Sequence, residues 1–482
     1  MTRHELAVIG AGPAGLAAAL TAADAGIHVV LLDGAPEPGG QFYRQTARQL
    51  HARRPQRLYH AWSTWEKLRD RLAEHRATGQ ITFLADRHVW HVEPGFAIHA
   101  LLGPEQQTAA TVTADALVLA TGGYERVLPF PGWTLPGVLT AGGAQAMLKA
   151  GLVLPGARAV VAGTGPLLLP VAAGLAAAGA QVAGLYDSAD PRAFARHASE
   201  LARNPDKLVE GAGYAARLAR HGVRVRFRRT IIRANGRDRL ESVVVAGPDG
   251  VERRIECDTL AVSHGMLPHT EIAQTLGAAL TDSGAVAVDE EQCTDIPGLW
   301  AAGESTGIGG AALSLVEGEI AGRSAVARLR GTSPPVPDVD AENTRRRLRA
   351  FAEVIETVYA PPAASTWAAR IDDETVLCRC EEVTAASVRE AVSELGATDL
   401  RTVKLLTRAG MGWCQGRICG PGVAGVSGCP LTSARTPFAR PVPLGVLAES
   451  VSLDPTHPPY TSYPPHTSHT PHPPTNEGPS SS

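Results

Sequence analysis

No stretch constrains this chain more than residues 6–33, LAVIGAGPAGLAAALTAADAGIHVVLLD. An apolar run stops at Gly10, glycine recurs at Gly12 and Gly15, an alanine-rich run follows, and residues 28–32 turn apolar again. The pattern predicts strand, tight turn, helix and strand. Gly10 permits the turn, Gly12 lets a pyrophosphate approach the backbone, and Gly15 lets the helix pack closely on the strand, with Pro13 and Ala14 in the same phosphate-facing turn. The helix N-terminus offers unpaired N–H groups and a positive dipole end. Asp33 ends the second strand 21 positions after Gly12, where a carboxylate accepts from a ribose hydroxyl. The reading is a dinucleotide site; the alternative is a glycine-rich turn in another α/β sheet.

A chain of 482 residues exceeds one core and predicts roughly three units. A net charge of −3 without a basic block argues against a nucleic-acid partner. The N-terminus runs directly into the first strand with no visible signal peptide, so the chain is expected to be cytoplasmic. Residues 159–186 carry no charge over 28 positions, longer than the ~20 apolar residues a bilayer needs. Gly163, Gly165, Pro166, Pro170 and Gly174 interrupt any continuous helix there, so no transmembrane segment is expected.

That stretch instead predicts a second strand–turn–helix–strand unit. Gly163 and Gly165 stand in the turn, Leu168 takes the third glycine position, and Asp187 follows Gly165 by 22 positions. Two readings stay open: a site for NAD(P) or another adenine nucleotide, or a Rossmann unit kept for packing alone. Earlier, Gly39, Gly40 and Gln41 form a turn whose amides can meet a cofactor. A helix over about residues 59–77 places Trp62 and Trp65 on one face as core. Short alternating strands over 81–119 close on Ala120, Thr121 and Gly122, small residues of the kind found where a ligand approaches backbone.

Cys378, Cys380, Cys414 and Cys419 form two close pairs around two helical segments, capped by Thr384 and by Thr398 or Asp399. The Cys-x-Cys and Cys-x4-Cys spacing is unlike a zinc knuckle and favours a [2Fe–2S] cluster, with zinc or a chance spacing as the alternatives. Cys257 and Cys293 read as small buried side chains, and His264 and His269 as packed or solvated histidines without an identifiable carboxylate partner. A helix over 343–358 leads to the cysteine segment. Residues 453–482 are Pro, Thr, Ser and His and predict a disordered tail.

The opening βαβ unit, the ATG turn followed by Arg126 and LPFPG, and the late TDIPGLWAAGES together resemble flavoproteins of the glutathione reductase type. The resemblance implies an α/β fold with two Rossmann-like dinucleotide-binding domains. It places FAD on the first motif and beside the ATG strand, with an acidic residue after the late A-A-G on the ribityl-phosphate portion. Here that position is Gly303-Glu304, with Glu where the family usually has Asp. No cysteine precedes Cys257, which excludes the thiol–disulfide chemistry of the disulfide reductases. The four cysteines resemble the ligands of a bacterioferritin-associated-ferredoxin-like domain. The implied division is an FAD-binding domain in two parts, 1–150 and 266–330, around a nucleotide-binding-like domain, 151–265; a linker and helix, 331–372; a small helical [2Fe–2S] domain, 373–430; an extended segment, 431–452; and the tail, 453–482.

With GGQFYRQ, CRCEEVT, GWCQGRICG and a closing RPVPLGVLA, the chain resembles a narrower family. These are α subunits of heteromeric amine and imino-acid dehydrogenases of the hydroxyproline, proline and opine dehydrogenase and hydrogen cyanide synthase type. That resemblance implies a flavoprotein β subunit of amino-acid-oxidase type, an amino or imino acid oxidised at its C–N bond, and electron transfer as this chain's part. Two alternatives are a stand-alone NAD(P)H-dependent reductase feeding the cluster and a non-catalytic electron-transfer or scaffold subunit.

Overall fold

Alternation decides how the first sheet is built. In the strand Arg3–Ile9, Leu6 and Val8 enter one apolar core while Ala7 and Ile9 enter another, and Val29–Leu32 divides the same way. A sheet buried on both faces reads as a continuous apolar run, which is what both segments are. The computed structural model describes residues 3–333, 339–431 and 436–451, and the predicted tail lies outside the described residues. Among the described residues, the first sheet has seven strands. Ile81–Leu84, Val29–Leu32, Arg3–Ile9 and Thr108–Leu119 run parallel in that order, Leu299–Ala301 adds parallel to Thr108–Leu119, and Ala97–Leu102 with Arg87–Val92 extends the sheet antiparallel.

Two helices cover one face, and glycine lets them touch backbone to backbone. A Cβ on Gly318 of helix Gly310–Leu329 would stand 2.1 Å from the Ala14 carbonyl of helix Pro13–Asp24, and one on Gly322 would stand 2.7 Å from that of Ala18. The predicted helix near residue 59 begins later, as Trp62–Ala77; Trp65 is buried and stacks on Tyr43 at 5.5 Å, and Trp62 packs half-buried beside them.

The uncharged stretch is strand Arg158–Thr164, helix Leu168–Ala177 and strand Gln181–Asp187. These strands belong to a five-stranded parallel sheet that continues through Thr259–His264 to Val138–Thr140. No described helix is long and apolar enough to cross a membrane.

Helix Val339–Val358 begins four residues before the expected start, and it leads to the four-cysteine segment. There Thr384 accepts from Ser387 N–H and Asp399 from Thr402 N–H, capping Ala385–Ser393 and Leu400–Thr407. A third helix, Gly420–Ser427, follows Cys419; its short Gly- and Pro-containing sequence carries little helical signal. Described residues through Pro441 pack as one unit, and those from Val442 form another. Within the second, Leu444–Val451 is helical where an extended segment was expected; Pro443 carbonyl starts the helix by accepting from Val446 and Leu447.

Candidate functional site: a glycine cradle, a second glycine turn and four cysteines

The first cradle is built by backbone approach. Gly10 adopts φ +105°, and a Cβ there would stand 2.2 Å from the Ala120 carbonyl; one on Gly15 would stand 1.7 Å from the Gly10 carbonyl. The first bond of the helix runs from Leu16 N–H to Gly12 at 2.9 Å, so the amides before it face out of the helix end. Over this turn lies Gly40, whose Cβ would meet Gly12 Cα at 2.7 Å. Gln41 beside it is exposed and accepts from Arg44 Nε at 3.0 Å. Asp33 accepts from Ala11 N–H at 2.5 Å and Ala35 N–H at 2.7 Å. Burial pushes its carboxyl up, against the pull of those two donors.

The far wall comes from the chain's return. Thr121 donates to the His269 carbonyl at 2.5 Å, and His269 N–H donates to Gly122, which has φ +76° and open space around it. Gly303, at φ +78°, faces Ala14, and its N–H donates to Glu317 at 3.0 Å. Glu304 lies against Gly123, its carboxyl pushed up by burial and drawn down by Gly310 N–H. Gly10, Gly12, Pro13, Ala14, Gly15, Gly40, Ala120 and Gly303 thus line one cradle, in which a Cβ on Gly10, Gly15, Gly40 or Gly303 would clash, and this suits an extended dinucleotide.

Gly163, Gly165 and Asp187 lie together on the other sheet. Gly163 has φ +124° and Gly165 +117°, and a Cβ on Gly163 would meet the Ser263 carbonyl at 1.8 Å. Asp187 is 3% exposed, accepts from Ala189 N–H at 2.9 Å, and is pushed up to about 6 by burial.

The four cysteines approach one another pair by pair. Cys414 meets Cys419 and Cys380, and Cys419 in turn meets Cys378, linking both pairs. The Cys419–Cys414 hydrogen bond draws the Cys414 thiol down and pushes that of Cys419 up. Among the described residues, no group of three or more His, Cys, Asp or Glu side chains is arranged to hold a metal ion. A two-iron cluster asks for two thiolates at each iron, and four sulfurs in two linked pairs suit it. Cys257 is buried, its thiol pushed up to about 12, while Cys293 is half-buried beside Ser324 at 3.6 Å.

Sequence reasoning missed the groups that bind these sites together. His269 does have a carboxylate partner, Glu271, at 3.3 Å, and Glu271 pairs with Arg417 at 2.7 Å. Arg417 lies between Cys414 and Cys419, so a run of close polar contacts, with Arg417–Glu271 as its ion pair, leads from the cysteine loop to His269, whose backbone bonds the ATG turn. Beside it, burial and Glu271 push the Tyr124 hydroxyl up to about 12. His264 is half-buried, pushed down to about 4 by desolvation, and receives Leu128 N–H at 3.3 Å. Glu317, fully buried, pairs with Arg349 and accepts from Thr306 at 3.2 Å.

Comparison with known proteins gives the class. Residues 4–318 match the pyridine nucleotide-disulphide oxidoreductase family, and residues 376–426 match the BFD-like [2Fe-2S] binding domain. The chain belongs to that oxidoreductase family and is a flavin-dependent oxidoreductase with FAD and [2Fe–2S] as its cofactors. It is 34% identical over 432 residues to an opine oxidase subunit of Agrobacterium tumefaciens, covering 86% of this chain and 84% of the relative. It is equally identical to hydrogen cyanide synthase subunit HcnB of Pseudomonas aeruginosa, covering 86% and 90%. L-proline dehydrogenase from P. horikoshii shares the fold with a TM-score of 0.64 at 21% identity, over 92% of this chain and 79% of that one.

Proposed function

We propose that the chain is the electron-transferring α subunit of a heteromeric dehydrogenase or oxidase acting on the C–N bond of an amino or imino acid. The observation that carries this reading is the docking of the cysteine domain on the flavin fold. Trp133 donates to the Val376 carbonyl at 2.6 Å, Trp367 to the Pro129 carbonyl at 3.0 Å, and the Arg417–Glu271–His269 contacts add a third tie. Bound FAD accepts two electrons as a hydride while a [2Fe–2S] centre carries one at a time, so the pair converts one kind of transfer into the other.

The chain's own residues do the holding. Gly10 to Gly15 and Gly40 admit the pyrophosphate, Asp33 and Glu304 stand at the ends of the cradle, and Cys378, Cys380, Cys414 and Cys419 hold the irons. A substrate base is a different matter. Burial lowers the proton affinity of both His264 and His269, and the reading assigns the substrate base to the partner chain. Subunits of opine oxidase and hydrogen cyanide synthase as relatives support a partner chain, which we assign as a flavoprotein β subunit that oxidises the substrate. The same reading places the protein in the cytoplasm, where four thiols stay reduced until a cluster is assembled.

The test is steady-state dye reduction with proline, hydroxyproline, sarcosine, glycine and an opine, using this chain alone and then co-expressed with its genomic neighbour. Turnover is expected only with the partner. Substantial turnover by the lone chain would move the substrate site into this polypeptide and end the subunit reading.

A further inference from the structure

In this fold class a dinucleotide lies across the C-terminal edge of the second parallel sheet, with its phosphates at the glycine turn. Here another part of the same chain already lies there. Thr164, between Gly163 and Gly165, is 1% exposed, and its hydroxyl donates to the Tyr359 carbonyl at 3.2 Å. The Tyr359 ring stands edge-on to Phe194, 5.7 Å between centroids. Phe194 belongs to the turn Pro191–His197, which follows the Asp187 strand directly. Burial and then the nearby Asp187 charge push the Tyr359 hydroxyl up.

The helix that delivers Tyr359 is anchored along its length. Arg345 donates to the Glu290 carbonyl at 2.7 Å, Arg347 to Asn204 Oδ1 at 2.8 Å, and Arg349 pairs with Glu317. These ties span both sheets' units, and they fix where the helix ends. A main-chain carbonyl at the glycine turn also presents an acceptor where phosphate oxygens need donors.

We propose that Tyr359 closes the second dinucleotide seat against NADH and NADPH, and that this unit serves instead as the mooring of the helix leading to the cluster domain. Electrons then enter from elsewhere, which deepens the proposed function and rests on it only for the identity of the donor. Tyr359 is a specificity-determining residue: it leaves a degraded but recognisable nucleotide fold without a nucleotide.

The experiment titrates the purified holoprotein with NADH, NADPH and ATP up to ~1 mM, the upper end of ordinary cofactor requirements, reading calorimetric heat and flavin bleaching. Wild type and Tyr359→Phe are expected to show no saturable binding and no bleaching. Tyr359→Gly combined with Thr164→Ala is expected to bind at least one of the three at least tenfold more tightly than wild type. Saturable binding by wild type overturns the proposal. So does an opened variant that keeps flavin and iron yet binds nothing, because the obstruction would then lie in the Leu168 departure from glycine. Should the double variant lose a cofactor, Tyr359→Ser alone carries the same two outcomes. The titration contains no partner chain, so its failure leaves the subunit reading to the dye assay.

Discussion

Gly15 shows how little freedom single residues have in the first cradle. Its missing Cβ would sit 1.7 Å from a carbonyl of its own turn, so Gly15→Ala must displace either the helix or the Gly10 loop. The expected outcome is protein purified without visible flavin absorbance, with the iron–sulfur signal retained. Glu317 makes a different demand. It is fully buried and serves Gly303 N–H, Thr306 and Arg349 together. Removing Arg349 leaves a buried carboxylate without its cation, and Arg349→Ala is expected to cost about 3–5 kcal/mol in urea unfolding. Asp187 supplies a pH signature. Its carboxyl is raised from 3.8 to about 6 in the fold, so carrying the charge costs nothing at low pH and progressively more as pH climbs through that window. Asp187→Asn is therefore expected to gain up to about 3 kcal/mol over wild type above pH ~6, fading toward pH ~4. Unfolding midpoints that shift equally at both pH values would refute the assignment.

At the scale of elements, the cluster domain is held by two tryptophans and the tight seats beneath them. A Cβ on Gly425 would stand 2.9 Å from the Trp367 ring, and one on Gly422 would stand 2.8 Å from Pro129. Trp367→Ala opens a cavity at that seam and is expected to cost about 3–5 kcal/mol, read as early proteolytic release of the cluster domain while flavin stays bound. What could be read in advance here was local. Gly10, Gly12 and Gly15 declare themselves by spacing, and so do the cysteine pairs, because each signal lies within a few residues. Thr384 and Asp399 as caps were equally local. The Arg417–Glu271 pair, the Glu317–Arg349 pair and the Thr164–Tyr359 bond join residues far apart in the chain, and no periodicity announces them. His269 looked partnerless for that reason, although Glu271 stands only two positions away: which side chain turns toward it is decided by packing against the cysteine loop.

For the whole molecule, the two cofactors set a count. Anaerobically purified protein is expected to hold one FAD with two irons and two sulfides, and dithionite is expected to deliver about three electrons per chain. Cys414→Ser is expected to remove the cluster's visible absorption and its one-electron share while sparing the flavin; loss of both would show that the two units fold as one. Residues 127–133 bear on how those electrons move. Val127, Phe130 and Trp133 belong to the core around the second sheet, and Leu128, inside the same short run, belongs to the core of the cluster domain. A short run rooted in both cores pins the cluster domain against the sheet. Carrier domains that ferry charge by swinging slow down in syrup, since each delivery waits on a diffusive stroke. This one is moored, and transfer between flavin and cluster is expected to keep its pace when sucrose thickens the solvent, its rate belonging to the fixed gap between the two centres.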